Sequence, residues 1–377
     1  MKLILLTSLY PPVAGGAELQ AQNLARHCTA LGVPVTVVTQ PQPGAEPELW
    51  EGNVRVMRSL HALSLGPLWG LSYMASTWRA LDRLVDHETV IHNQQVSLHS
   101  WVSRRVASMK RIPLVLRFAC AGRHGDLSRL KEVFYGRYML PALRGADRCI
   151  VLSGELREEL VAEGFPREII RYRPNGVDTT LFHPADQRAG ADGGGPLQLL
   201  FVGRLDPQKG IDTLLQALAR IPGDLDWRLQ LYGSGPQEAE LHRICTQLGL
   251  DGRIAFAGTT DAMDKVYRQA DLLVHPSLHE GMPNVVLEAL ASGLPVLATD
   301  IGGNRELLQE WAPDWLVPAA DADALAEGIL RAIQQRPALA DLGARARREA
   351  ETKYAHRALA EAYLRDCENL LRCSRGR

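Results

Sequence analysis

The sequence predicts an α/β protein made of two doubly wound parallel sheets. Three observations lead there. Short β-rich runs alternate with helical patterns in both halves, the alternation restarts after a Gly- and Ala-rich stretch, and a length of 377 residues suits two or three domains.

The first element is KLILLT at residues 2–7, an apolar run that stops at Thr7-Ser8 and reaches Pro11-Pro12 without a cleavage-type sequence. It therefore reads as a strand and not as a signal peptide. QAQNLARHCTALG follows with apolar residues at helical spacing. PVTVVT, VRVM, TVIHN, PLVLRF, RCIVL and IIRYR read as further strands, with SYMASTWRALDRLV and SGELREELVAEGF as helices between them. PADQRAGADGGGP, from Pro184 to Pro196, has linker chemistry, so one domain is expected over residues 1–185 and the next over 196–355. In that second half LQLLFVG, WRLQLYG, RIAFAG, DLLVHP, LPVLAT and DWLVP repeat the strand pattern, separated by helices such as IDTLLQALARIP and QEAELHRICTQLG. A last helix, YAHRALAEAYLRDCENLL, closes the chain, with residues 356–377 expected as a separate helical segment.

Composition narrows the class. With 46% hydrophobic and 23% charged residues the chain is expected to bury full cores, and it holds no apolar run long enough for a transmembrane helix. Cys28, Cys120, Cys149, Cys245, Cys367 and Cys373 are scattered without a C-x-x-C pair, which argues against a disulfide framework or zinc site and for a cytoplasmic protein. The net charge of −1 hides an asymmetry: residues 1–185 carry 21 Lys and Arg against 16 Asp and Glu, concentrated between Trp101 and Arg173. Such a field suits an anionic membrane surface or a phosphate-bearing acceptor, or is a solvated basic face. Nucleic acid is disfavoured, because the basic residues are not interleaved with aromatics. Trp69, Tyr73, Met74, Trp78 and Arg79 fall at helical spacing in a crowded apolar segment, to be read either as core packing or as a surface for peripheral contact with an anionic bilayer.

The densest signal runs from Ser277 to Arg305. Glu280, Gly281, Met282, Pro283 and Asn284 form a turn that feeds VVLEALASG, a helical pattern ending at Gly293. A helix start collects backbone N–H groups and positive dipole, which suits a diphosphate, and Glu288 lies about a turn and a half further in. Carboxylates beside a phosphate are useful when they accept hydrogen bonds from hydroxyls, so a nucleotide sugar is the natural guest. At the end of the first strand, Gly15 and Gly16 either make a tight strand-to-helix turn or let the backbone approach an anion.

The stretch from Pro276 to Val296 matches PSxxEGxPxxxxEAxAxGxPV, with its E-x7-E pair at Glu280 and Glu288, and so resembles glycosyltransferase family 4, the glycosyl transferases group 1. Gly203-Arg204-Leu205-Asp206-Pro207-Gln208-Lys209-Gly210 resembles the family's GRLxxxKG element. Ser153, Pro174 to Asp178, Gly233 to Pro236, and Ala270 to Leu272 extend the likeness over most of the chain. Ser153 can equally be a helix cap and Asn175-Gly176 a tight turn.

The resemblance implies a GT-B fold, two Rossmann-like domains facing a central cleft, with the final helix returning to the first. It implies transfer of a hexose from a UDP- or GDP-sugar to a hydroxyl of a glycan, lipid-linked or small-molecule acceptor, with retention at the anomeric carbon. Arg204 and Lys209 would hold the donor diphosphate in place of a metal ion, Glu280 would accept from sugar hydroxyls, and Glu288 from the ribose. Gly15, Gly16, Gly203 and the Gly281 to Asn284 turn would bind the donor. No cofactor is implied, and no D-x-D spacing suggests a metal.

One feature departs from the family. Many members carry a histidine just after the strand that PLVLRF represents, where this chain has Arg117, Phe118, Ala119 and Cys120. His124 and His92 also follow or end strands and are alternative active-site histidines, each with an ordinary reading as a local hydrogen-bonding group. Rival readings are a sugar-nucleotide epimerase or hydrolase of the same architecture, a phosphorylase, which would bring far more chain, and a silent scaffold, which would not be expected to keep Arg204, Lys209, Glu280 and Glu288.

Overall fold

The computed structural model describes residues 1–12, 15–63, 68–122, 125–185 and 195–375. The chain divides into two compact units, Met1–Asn175 with His356–Arg377, and Gly176–Ala355. Among the described residues no helix is long and apolar enough to cross a membrane.

The first unit runs β1 (Lys2–Leu6), α1 (Gly16–Ala30), β2 (Val35–Val38), β3 (Glu48–Glu51), β4 (Val54–Met57), α2 (Leu68–Leu84), β5 (Thr89–Asn93), α3 (Leu98–Lys110), β6 (Leu114–Phe118), α4 (Asp126–Glu132), α5 (Gly136–Leu143), β7 (Arg148–Val151), α6 (Gly154–Ala162) and β8 (Ile170–Tyr172). Its eight strands lie in the order β3-β4-β2-β1-β5-β6-β7-β8, parallel except for the β3–β4 pair. The pleat divides the core into two layers. Leu3 and Leu5 of β1 join Ala21, Ala25 and Cys28 of α1 on one face, while Ile4 and Leu6 join Tyr73, Val102 and Val106 on the other.

The second unit runs β9 (Leu197–Val202), α7 (Ile211–Ala219), β10 (Trp227–Tyr232), α8 (Glu238–Gln247), β11 (Ile254–Gly258), α9 (Met263–Gln269), β12 (Leu272–His275), α10 (Asn284–Ala291), β13 (Val296–Thr299), α11 (Gly302–Leu308), β14 (Leu316–Val317), α12 (Ala322–Gln334) and α13 (Ala338–Glu349). Its six strands are all parallel, in the order β11-β10-β9-β12-β13-β14. β12 and β13 are buried on both faces, which is why their sequences read as unbroken apolar runs.

The last helix, α14 (His356–Arg375), belongs to the first unit. Ala360, Tyr363, Leu364, Cys367 and Leu371 complete the apolar layer begun by α1. Asp366 accepts from Arg148 at 3.0 Å and from Arg173 at 3.2 Å, tying the helix to the edge of β7 and β8.

The two compact units part at Asn175, ten residues before the boundary expected after residue 185. The segment that follows is held by the second unit: Val177 N–H donates to the Tyr354 carbonyl at 2.8 Å, and Arg347 donates to the carbonyls of Phe182 at 2.7 Å and Thr179 at 3.0 Å. Residues 186–194 of the Gly-rich stretch lie outside the described residues. The closing helix starts at His356, after a π turn at Ala350–Tyr354 in the second unit. β3 was not expected. It is an edge strand whose Glu48 pairs with Arg55 across the hairpin while Glu51 accepts from Tyr10 and Gln22, so its charges are used at the sheet edge and give no apolar core pattern.

The aromatic segment is split by α2. Tyr73 and Thr77 are buried, Met74 and Trp78 are half-buried against the core, and Trp69 is 43% exposed, stacked on Tyr73 with ring centroids 5.4 Å apart. Its first residues, 65–67, lie outside the described residues.

Candidate functional site

In the second unit the chain passes from β9 outward to β10 and β11, then returns to place β12 on the opposite side of β9. The strand order therefore reverses between β9 and β12, and a ligand crevice is expected outside their carboxyl ends. The two best sequence signals sit there. Gly203 to Gly210 leaves β9, and Pro276 to Pro283 leaves β12.

These two loops are bound to each other. Leu278 N–H donates to the Gln208 carbonyl at 2.8 Å, and Gln208 Nε2 donates to the His279 carbonyl at 2.7 Å. Gly210 has φ 62°, and a Cβ there would run into the Pro276 carbonyl oxygen. On the far side, a Cβ at Gly303 of α11 would collide with the Gly281 carbonyl oxygen. Thr299 Oγ1 donates to the Ser277 carbonyl at 2.5 Å, and Asn304 Nδ2 holds the Thr299 carbonyl at 2.9 Å. The β12 loop is thus clamped from both neighbouring strands.

At the centre Lys209 Nζ makes an ion pair with Glu280 Oε1. Ser277 Oγ donates to the same oxygen at 3.0 Å, and His275 Nε2 lies 3.5 Å from it. Burial pushes the Glu280 carboxyl up, but the imidazole of His275 and the ammonium of Lys209 beside it outweigh that and hold it at about 2. Arg204 is different: its side chain is 71% exposed, with Nε 3.5 Å from Asp206 Oδ2. Its guanidinium lies open to solvent.

α10 begins at Asn284, with Pro283 as its N-cap. Gly293, at φ 64°, ends it as the sequence predicts. Met282 and Pro283 are buried, while Gly203, Gly281 and Asn284 keep part of their surface. Glu288 accepts from the Tyr267 hydroxyl at 2.8 Å. The protein packed around its carboxyl pushes it up to about 7, against that hydrogen bond. Glu280 and Glu288 are thus a fully ionised carboxylate and one that titrates near neutrality.

The residues of the first unit fare differently. Gly16 opens α1 and Gly15 caps it in an extended conformation, with the Glu18 carboxylate folded back over Gly15. That carboxylate already meets the helix start. Val13 and Ala14 lie outside the described residues, as does His124.

His92 is not an open group, as its candidacy would require. It is buried, with Nδ1 2.8 Å from Tyr363 Oη and Nε2 3.1 Å from Gln94 Oε1, and burial followed by the charge of Arg117 lowers it to about 3. It is a core hydrogen-bonding group linking β5 to α14. Arg117 is also buried, donating from Nη2 to Asn175 Oδ1 at 2.5 Å and weakly from Nη1 to the Gln94 carbonyl. Burial lowers it to about 10, against Asp126 and Cys120.

Three residues escaped the sequence reading: His275, Ser277 and Tyr267. The first two stand in the DLLVHPS run as polar residues at a strand end, a position that alone does not mark them; Tyr267, inside α9, gave no signal. Among the described residues no group of three or more His, Cys, Asp or Glu could hold a metal ion.

Residues 14–181 match the model for Glycosyltransferase Family 4, and residues 184–349 that for Glycosyl transferases group 1. The lipopolysaccharide core biosynthesis glycosyltransferase LpsE of Rhizobium meliloti is 31% identical over 360 residues, covering 93% of this chain and 95% of that one. A D-inositol 3-phosphate glycosyltransferase of Streptomyces bingchenggensis is 29% identical over 375 residues, covering 90% and 81%. Among solved structures, sucrose-phosphate synthase from Thermosynechococcus elongatus aligns with a TM-score of 0.80 at 25% identity, covering 99% of both chains. Anabaena HepE, solved in complex with UDP, aligns at 0.78 and 22% identity, over 98% of this chain and 100% of that one. Two parallel-sheet α/β domains of GT-B type, with both family models matched in order along the sequence, place this chain in the glycosyl transferases group 1 as a glycosyltransferase.

Proposed function

We propose that the chain transfers a hexose from a UDP- or GDP-sugar to an acceptor hydroxyl with retention, and that the second unit binds the donor. The observation that carries this reading is the Lys209–Glu280 pair at the β9/β12 switch point, beside the start of α10. In this reading Arg204, Lys209 and the backbone from Gly281 to Asn284 offset the charge that develops on the departing diphosphate. Glu280 accepts from donor-sugar hydroxyls and Glu288 from the ribose, so both orient the donor and neither attacks it. The acceptor proton passes to an oxygen of the leaving phosphate on the face where the bond breaks. No cofactor or metal takes part in the scheme.

The LpsE likeness supports a glycan or lipid-linked acceptor. The inositol-phosphate relative supports a second reading, a soluble small-molecule acceptor. Leu68, Trp69 and Leu71, exposed at the start of α2, suit peripheral contact with an anionic membrane in the first case.

The test is turnover of a UDP- and GDP-sugar panel with and without lipid extract. Release of nucleoside diphosphate that needs an acceptor supports transfer; equal release without one would indicate a hydrolase or epimerase. Turnover is expected to survive EDTA, and activity restored only by Mn²⁺ would contradict the charge assignment to Arg204 and Lys209.

A further inference from the structure

His275 ends β12 with no exposed surface, and neither ring nitrogen has a full hydrogen-bond partner. Buried polar groups rarely stay so, and each such exception calls for a reason. The carboxylate that faces this imidazole is Glu280, whose Oε1 lies 3.5 Å from Nε2. Lys209 Nζ and Ser277 Oγ address that same oxygen. Three donors therefore converge on Oε1, and the hydrogen bonds described for Glu280 leave Oε2 out.

The three donors are not equivalent. Lys209 sits on a flexible stem, on the loop expected to meet the diphosphate, and Ser277 carries a rotating hydroxyl. His275 is a rigid ring at the end of a fully buried strand. We propose that His275 is a positioning residue for Glu280: its Nε2–H fixes the rotation of the carboxylate through Oε1 and presents Oε2 to a hydroxyl of the donor sugar. When Lys209 turns to the departing diphosphate, His275 and Ser277 keep the carboxylate in place. Preorganisation of this kind depends on supporting groups whose own geometry is locked.

The inference rests on the reading of Glu280 as a ligand of the donor sugar, and the test separates the two. Affinities of the full-length protein for UDP-glucose and UDP, and for GDP-mannose and GDP, are measured by calorimetry in wild type, His275→Phe and His275→Gln. His275→Phe keeps the ring volume without a donor; His275→Gln restores a side-chain N–H. The expected result is about a ten-fold loss of sugar-nucleotide affinity in His275→Phe, affinity for the bare diphosphate unchanged within about two-fold, and substantial recovery in His275→Gln. Equal weakening of both ligands, or no weakening, overturns the proposal.

A second measurement does not depend on the donor. The groups recorded against the Glu280 carboxyl are Lys209 from the loop after β9, His275 from β12 and the Ser277 hydroxyl. Carbon-13 titration should place that carboxyl near 2 in wild type and higher in His275→Phe. An unchanged titration overturns the proposal even if wild type binds none of the four ligands, an outcome that would itself count against the donor reading.

Discussion

Glu280 faces a lysine, a serine hydroxyl and an imidazole, whereas Glu288 faces a single phenol. Their contributions to stability therefore run in opposite directions with pH. Glu280, held at about 2, stabilises the fold above the ordinary carboxylate range, and that contribution is lost as pH falls toward 2. Glu288, raised from 4.5 to about 7, binds its proton more tightly folded than unfolded, so its contribution declines as pH rises from 4.5 to 7. Glu288→Gln is expected to raise stability at about pH 8 by on the order of 1 kcal/mol, to lose that advantage near pH 5, and to weaken donor binding. Urea unfolding at both pH values checks the sign; a gain larger at pH 5 than at pH 8 would refute it. Arg204→Ala and Lys209→Ala are each expected to lower turnover by roughly two orders of magnitude with the fold retained, as expected for groups that stabilise departing charge. Near-wild-type turnover in both would remove them from the chemistry. These four side chains were legible because their motifs are dense. His275 and Tyr267 were not, because what makes them matter is burial against the two glutamates, and burial depends on which strands become neighbours.

At the scale of elements, the strands that carry the site were readable because a strand buried on both faces is an unbroken apolar run. β3 was missed for the converse reason: an exposed edge strand pairs charges across the hairpin and shows no core pattern. The contacts that set the loops were not readable either, since a glycine looks the same whether space or backbone surrounds it. Gly303 illustrates this. A methyl group there would meet the Gly281 carbonyl oxygen and push the β12 loop away from α11, while Gly223 has nothing within 4 Å. Gly303→Ala should cost about 1–3 kcal/mol and lower turnover at least about ten-fold, and Gly223→Ala should change neither noticeably. Thermal melts and initial rates of the two variants are the measurement; an active, stable Gly303→Ala would mean that the loop is not held as described.

For the whole molecule, the two-domain organisation followed from the restarted strand–helix alternation, whereas the parting of the units at Asn175 carries no local signal. A Gly-rich stretch marks flexible chemistry and not the last contact, and the carbonyls of Thr179 and Phe182 are held by Arg347, which no local pattern links to them. The apolar face of α14 was visible as helical spacing at Ala360, Tyr363, Leu364, Cys367 and Leu371, while the sheet it covers was implied only by resemblance. That face makes the first unit discontinuous in sequence: Met1–Asn175 lacks part of one core layer until the last helix arrives. The docking is also electrostatic, since Arg148, Arg173 and Asp366 have side chains only 12%, 20% and 17% exposed. Asp366→Asn removes the carboxylate shared by two largely buried guanidinium groups, and an uncompensated charge of that kind is costly. The variant is expected to lose roughly 2–3 kcal/mol, a smaller penalty than for a fully buried pair because some solvent reaches the site. Deletion of residues 356–377 strips the apolar layer as well and should abolish soluble expression, whereas residues 176–355, a continuous unit, should fold alone. Circular dichroism melts of Asp366→Asn and of the two truncations test this ordering: a soluble, cooperatively melting protein lacking residues 356–377 would show that α14 is dispensable to the first unit.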